Sequence, residues 1–389
     1  MEQLYNTMKV LLNYTSLSFK RYKFKEIGAH KRMFGIVGPR GVGKTTMILQ
    51  YIKEHLNISE TLYVSADNMY FSTHSLIGLA DRFVKQNGRN LFIDEVHKYK
   101  NWSQELKQIY DTMPELTVGF TGSSVLDIYK GAADLSRRAP IYEMQGLSFR
   151  EYLHLFHDIE ASTYTLDDIL KGEVRIPGTD HPLPLFNDYL RRGYYPFGLD
   201  AAFEIELQQV INQTMETDIP TYAEMNVSTG KKLKQLLAII AESVPFKPNA
   251  SKLAEMIGIS RNSLSDYLYY IERAGMIAQV KDTTGGIRGL GKTEKVYLDN
   301  TNIAYNLGRD NVNIGNIRET FFYNQMRVNN PGIASKVSDF EINGITFEIG
   351  GRKKGQKQID GLEHAYIVKD DIEYGYGNVI PLWMFGLNY

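Results

Sequence analysis

Hydrophobic positions along this chain follow two different periods. Over the first 150 residues, short unbroken apolar runs alternate with stretches of helical spacing, the pattern of a parallel sheet buried on both faces. The runs are Met33–Val37, Thr61–Ser65, Asn90–Asp94, Leu116–Thr121 and Pro140–Met144. Helices are predicted between them, near Lys44–His55, Thr73–Gln86, Trp102–Met113 and Ser124–Ala132. From Leu147 to Ser228 the pattern is mostly helical, broken by a loop at Gly172–Pro184 that carries Gly, Pro, Asp and His. Residues 230–300 read as three helices and a β-ribbon, and from Ile303 onward α/β spacing returns between Gly- and Asn-rich turns. There is no internal repeat of 20–50 residues and no low-complexity tract.

Within the second region, Leu233, Leu236, Leu237, Ile240 and Ala241 mark one face of a helix at Lys231–Val244. Lys252–Ser260 then reads as a short helix, a Gly turn and an N-cap, with Ala254 and Gly258 spaced for the close crossing of a helix-turn-helix. In the following helix Leu264, Tyr267, Leu268 and Ile271 form the buried stripe, which leaves Arg261, Asn262, Ser265 and Tyr269 outward. The ribbon Gln279–Leu298, with Gly285, Gly286, Gly289 and Gly291 at its tip, resembles a wing.

Length and charge narrow the picture. At about 150 residues per domain, 389 residues predict two to three domains. The formal net charge is −1, so the chain is no polycation, and any nucleic-acid contact must be local. Residues 231–300 supply such a locality, with 11 basic and 7 acidic side chains. The absence of cysteine removes disulfides, thiol nucleophiles and thiolate metal sites, and fits a reducing compartment. No apolar run reaches eighteen residues, and Glu2 opens an N-terminus without a small-residue cleavage site. The expectation is a cytoplasmic protein with no membrane span.

Two motifs carry chemistry. Gly38-Pro39-Arg40-Gly41-Val42-Gly43-Lys44-Thr45, followed by Thr46, is an ungapped Walker A pattern between a predicted strand and a predicted helix. Its glycines let backbone N–H groups close on phosphate oxygens, Lys44 would reach the β/γ-phosphates, and the Thr45 hydroxyl would ligate Mg²⁺. Leu91-Phe92-Ile93-Asp94-Glu95 is an apolar strand ending in two carboxylates, a Walker B pattern. Asp94 would hold the Mg²⁺ shell and Glu95 would act as general base toward water. The strand tip Thr121-Gly122-Ser123-Ser124 offers hydroxyls, of which Ser123 suits either a γ-phosphate contact or a helix N-cap.

One strand lies between the phosphate loop and Asp94, and a polar-tipped strand follows. This order resembles the AAA+ superfamily of ATPases. The resemblance places Ser136-Arg137-Arg138 where that family often carries an arginine finger acting on a neighbouring subunit, which implies a homo-oligomer. Solvated helix-end charges are the other reading of Arg137 and Arg138. More closely, Gly38–Thr46, Asp94–Lys98 with Trp102, Thr121–Ser124, Leu147–Tyr152 and the lid-like Tyr189–Pro196 resemble a bacterial and archaeal AAA+ branch with a C-terminal domain of unknown function.

Past residue 300, Glu319, Asp339 and Glu348 follow the order Glu…Asp…Glu-x-Lys of the restriction-endonuclease-like fold, with Gly350 in place of the lysine. Arg352, Lys353, Lys354 and Lys357 follow within seven residues and could substitute for it. A nuclease needs carboxylates for a divalent metal and a cation near the reacting phosphate. The missing lysine makes this a degenerate site, with no cleavage expected. The fold class expected is thus α/β: an AAA+ core (residues 1–146), a helical lid (147–229), a winged helix (230–300) and a small restriction-nuclease-like domain (301–389). The expected activity is ATP hydrolysis with Mg²⁺, driving the later domains on DNA. Two alternatives stay open: a nucleotide-gated protein-interaction switch with slow turnover, and an active ATP-dependent nuclease.

Overall fold

The computed structural model describes residues 1–27, 32–123, 135, 137–243, 250–282, 293–308, 311–355 and 357–389. The helix expected at Ser124–Ala132, Ser136 and the four ribbon-tip glycines lie outside the described residues. The chain divides into two compact units, Met1–Gly146 and Leu147–Tyr389. Among the described residues no helix is long and apolar enough to cross a membrane.

The first unit holds α1 (Glu2–Tyr14), α2 (Lys44–His55), α3 (Leu76–Lys85) and α4 (Trp102–Thr112) with strands β1 (Met33–Val37), β2 (Thr61–Ser65), β3 (Asn90–Asp94), β4 (Thr117–Gly122) and β5 (Ile141–Glu143). The strands form one parallel sheet in the order β2-β3-β4-β1-β5. Every residue of β1 is buried, as a strand covered on both faces requires. Leu62, Val64, Leu91, Ile93 and Val118 pack with Leu76, Leu79 and Phe83 of α3 and with Leu106 and Ile109 of α4. Helix α3 starts three residues later than its apolar spacing suggests. The turn Met69–Ser72 intervenes, and the Ser75 hydroxyl caps the helix by accepting from Gly78 N at 3.1 Å. The sheet order sets the tips of β1, β4 and β3 side by side, so the loops after them converge.

The second unit begins with α5 (Phe149–His157), capped by a Ser148–Glu151 box, and continues through α6 (Leu166–Leu170), α7 (Leu183–Asp188), α8 (Phe203–Gln213) and α9 (Ile219–Tyr222). Helices α10 (Val227–Ser243), α11 (Ala250–Ile257) and α12 (Arg261–Arg273) follow, then the antiparallel ribbon β6 (Ile277–Lys281) and β7 (Thr293–Leu298). Gly258 takes φ 66° between α11 and α12, and Ser260 caps α12 by accepting from Ser263 N. After α13 (Thr301–Gly308) and α14 (Ile314–Met326) comes a mixed five-stranded sheet in the order β12-β11-β10-β9-β8. Its strands are β8 (Ile333–Ala334), β9 (Phe340–Ile342), β10 (Ile345–Gly350), β11 (Ala365–Lys369) and β12 (Val379–Pro381). Ile342 pairs with Ile345 across a two-residue turn, Asn343 at φ 52° and Gly344 at φ 78°, the geometry of a type I′ hairpin.

Candidate nucleotide site and a carboxylate cluster

The loop after β1 closes tightly on its own unit. A Cβ on Gly38 would stand 2.1 Å from the Met144 carbonyl oxygen, so only glycine fits there. Gly43, at φ 94°, starts α2, whose N-terminal N–H groups face the loop. Lys44 is buried, and its ammonium donates to the Gly38 and Pro39 carbonyls at 2.9 and 2.8 Å. Thr46 continues the helix, and Arg40 is half-buried in the loop with Gly41 at φ 83°. Val42 is fully buried, and its carbonyl accepts from Arg21, whose other nitrogen reaches the Gln145 and Gly146 carbonyls at 2.7 and 2.8 Å.

Asp94, at the end of β3, gathers hydroxyls. Thr45 and Tyr63 each donate to Oδ2 at 2.7 Å, and Thr121 donates to Oδ1. Burial, helped by the Asp94 charge, pushes the Tyr63 phenol far above its ordinary range. Glu95 turns off the strand at φ 49°, and its backbone N–H donates to Thr121 Oγ1 at 3.1 Å. Its carboxylate accepts from Ser123 at 2.9 Å and lies 3.3 Å from His97 Nε2. The two neighbouring carboxylates therefore take separate partners. Thr45 and Asp94, in contact, fit the oxygen-donor chemistry of Mg²⁺ bound with a nucleotide. Arg21 and Tyr63 had no sequence signal, because each acts through a partner distant in the chain. His97, inside the Asp94–Lys98 motif, had no role assigned because it reaches Glu95 only through the bend there.

Burial holds the Lys44 ammonium down to about 8, against the pull of Glu95 and then Asp94. A bound triphosphate favours the charged form, so above that value the lysine must take up a proton on binding. Nucleotide affinity is expected to fall as pH rises past about 8, approaching roughly tenfold per pH unit. Titrations with a fluorescent ATP analogue between pH 7 and 9.5 measure this, and a flat profile would contradict it.

The other singled-out residues take these places. Arg138 is gripped by Asp111 of α4 through two hydrogen bonds of 3.0 Å, and Arg137 is exposed at φ 69°. In the second unit Leu264, Tyr267, Leu268 and Ile271 are buried along α12, and Arg261, Asn262, Ser265 and Tyr269 are exposed.

Glu319 of α14, Asp339 before β9 and Glu348 of β10 come together, with cations among them. Lys295 Nζ of β7 lies 3.2 Å from Asp339 Oδ1 and 3.8 Å from Glu319 Oε2. Tyr297 donates to Glu319 Oε2 at 2.6 Å, and Ile349 N to Asp339 Oδ2 at 2.9 Å. Glu348 pairs with Lys354 and accepts from the Ser338 hydroxyl. Burial, reinforced by Asp339, pushes Glu319 up to about 7, with Tyr297 and Lys295 opposing. Of the later cations that could substitute for the missing lysine at residue 350, Lys354 is the one beside this cluster. Glycine there does not leave the cluster without a lysine, because a Cβ at that position would meet Lys354 Cγ at 2.5 Å. The Lys354 stem occupies the space the glycine leaves.

Residues 30–153 match the family model of an AAA domain, and residues 183–313 match a domain of unknown function, DUF8612. Two proteins of Methanocaldococcus jannaschii are similar to this chain. The uncharacterized protein MJ1637 is 26% identical over 315 residues, 75% of this chain and 65% of its own length. The uncharacterized protein MJ1544 is 24% identical over 259 residues, 62% of this chain and 55% of its own length. The chain thus spans less than two thirds of either relative. AMPPCP-bound DnaA from Aquifex aeolicus matches at 10% identity and a TM-score of 0.29, over 64% of this chain and 84% of that one. C. elegans PCH-2 matches at 15% identity and a TM-score of 0.26, over 69% and 67%. Neither superposition is close enough to bear on activity or assembly. Residues 30–153, nearly all of them in the first unit, are thus similar to an AAA domain.

Proposed function

We propose that this chain hydrolyses ATP at the loop Gly38–Thr46 and that its nucleotide state acts through the second unit on DNA. The observation that carries the first part is the contact of the Thr45 hydroxyl with Asp94 beside a separately held Glu95. In this reading the loop N–H groups and the α2 N-terminus hold the phosphates, and Lys44 exchanges its carbonyl contacts for phosphate oxygens. Mg²⁺, held through Thr45 and Asp94, would neutralise charge on the β- and γ-oxygens. Glu95 takes the proton from the attacking water. Ser123 and His97 touch its carboxylate and fix its direction, a positioning role for Ser123 beside the γ-phosphate contact and the N-cap its strand tip suggests. Arg137 or Arg138 would complete the site of a neighbouring copy in a homo-oligomer. For Arg138 this means leaving Asp111.

Support for the DNA part comes from the α11–α12 pair and its ribbon, read as a winged helix that offers Arg261, Asn262, Ser265 and Tyr269 to phosphates and bases. A protein partner is the second reading, favoured by Met256 and Tyr269, which are 57% and 46% exposed on adjoining helices. Steady-state ATPase rates at fixed salt, with and without single- or double-stranded DNA, separate the two. Stimulation is expected, and Arg261→Glu should weaken DNA binding and flatten its salt dependence by about one counterion. A flat ATPase response together with unchanged affinity over a salt series would transfer the case to a protein partner.

A further inference from the structure

Glu319, Asp339 and Glu348 are the carboxylates that a nuclease of this pattern would use for a divalent metal. Their surroundings do not fit one. We infer that the ammonium groups of Lys295 and Lys354 hold this cluster closed to metal, with Lys295 standing where the ion would have to bind. Lys295 Nζ has three oxygens about it: Asp339 Oδ1 at 3.2 Å, the Asp339 carbonyl at 3.3 Å and Glu319 Oε2 at 3.8 Å. A Mg²⁺ ion would need those oxygens at about 2.0–2.1 Å, and it would meet a positive charge already among them.

Further contacts engage Asp339 Oδ2 and both oxygens of Glu348, and Tyr297 shares Glu319 Oε2 with Lys295. Tyr297 donates to Glu319, Ile349 N donates to Asp339 Oδ2, and Ser338 and Lys354 both hold Glu348. Lys295 cannot easily leave, since it is only 8% exposed and lies 5.5 Å from the Phe340 ring centre. Two ammonium groups face three carboxylates, so most of the negative charge an ion would offset is already offset by the protein. Among the described residues no group of three or more His, Cys, Asp or Glu side chains is placed to hold a metal ion. The cluster is then a built-in ion-pair network that ties β7 to the C-terminal sheet. Glycine at 350 is not what closes the cluster, because Lys354 fills that space. What closes it is a lysine on a different strand. This inference involves the second unit alone and stands or falls apart from the nucleotide reading.

The test uses the full chain without nucleotide, titrated with Mn²⁺ and followed by the EPR signal of the free ion. Wild type and Asp339→Asn should bind equal amounts of Mn²⁺, so that any ion at the phosphate loop cancels. Lys295→Met should gain one Mn²⁺ per chain, lost again when Asp339→Asn is added. A Mn²⁺ bound by wild type and abolished by Asp339→Asn would overturn the inference. So would Mn²⁺-dependent DNA cleavage by wild type that disappears in Asp339→Ala. A folded Lys295→Met protein that gains no ion would remove the role of Lys295. Should Lys295→Met fail to fold, the comparison of wild type with Asp339→Asn still separates a closed cluster from an open one.

Discussion

Glu95→Gln is expected to bind Mg·ATP with near wild-type affinity and to lose turnover by roughly 10²–10⁴-fold, the scale of a lost general base. The amide keeps the size of the side chain and can still accept the Ser123 hydrogen bond. What it loses is the capacity to take a proton from water. Asp94 cannot stand in, because three hydroxyls already hold its carboxylate at the loop. Single-turnover hydrolysis of radiolabelled ATP, beside an equilibrium binding titration, gives the two quantities separately. A variant that turns over at the wild-type rate would remove Glu95 from the chemistry and leave the proposed mechanism without a base.

Lys44→Ala should lose nucleotide affinity by about 10²-fold or more, since charged hydrogen bonds contribute about 1.5–3 kcal/mol each. The substitution also removes the donor that satisfies the Gly38 and Pro39 carbonyls inside the loop, so some loss of stability accompanies it. Thermal melting with and without Mg·ATP reads both effects together. Wild type should gain melting temperature in proportion to the logarithm of ligand concentration, and Lys44→Ala should gain none at the same concentrations. An unchanged ligand-induced shift would place the nucleotide elsewhere.

The bounds of β1, β2, β3 and α2 match those drawn from spacing because a doubly covered parallel strand must be apolar throughout and must break at its polar tip. The stripe on α12 was legible for a similar reason: four side chains on a single face have no alternative burial. The phosphate loop was legible because its backbone geometry demands glycine at fixed positions. Most determinants left unread act across distance. Tyr63 looks like any strand aromatic until β2 is laid beside β3 and its hydroxyl reaches Asp94. Arg21 sits in an ordinary basic stretch, and only the fold brings it to Val42 and Gly146. Lys295, on an alternating strand, resembles a solvated charge, yet its partner Asp339 lies 44 residues on. Polar side chains announce neither their partners nor their burial, whereas apolar periodicity announces both.

The two-residue turn at Asn343-Gly344 has a reach well beyond its size. It sets Phe340 opposite Phe347 and so decides which way every later side chain of β10 points. Glu348 faces Lys354 and Ser338, while its neighbour Phe347 packs on Phe322 and Phe385. Adding or deleting one residue in that turn would exchange the two, driving a carboxylate among phenyl rings and exposing a phenyl ring to ammonium groups. Such a change alters no side chain of either cluster, yet it would cost the unit both at once. Counting residues between β9 and β10 is thus a more sensitive guide to whether a related sequence keeps this arrangement than comparing the charged residues themselves.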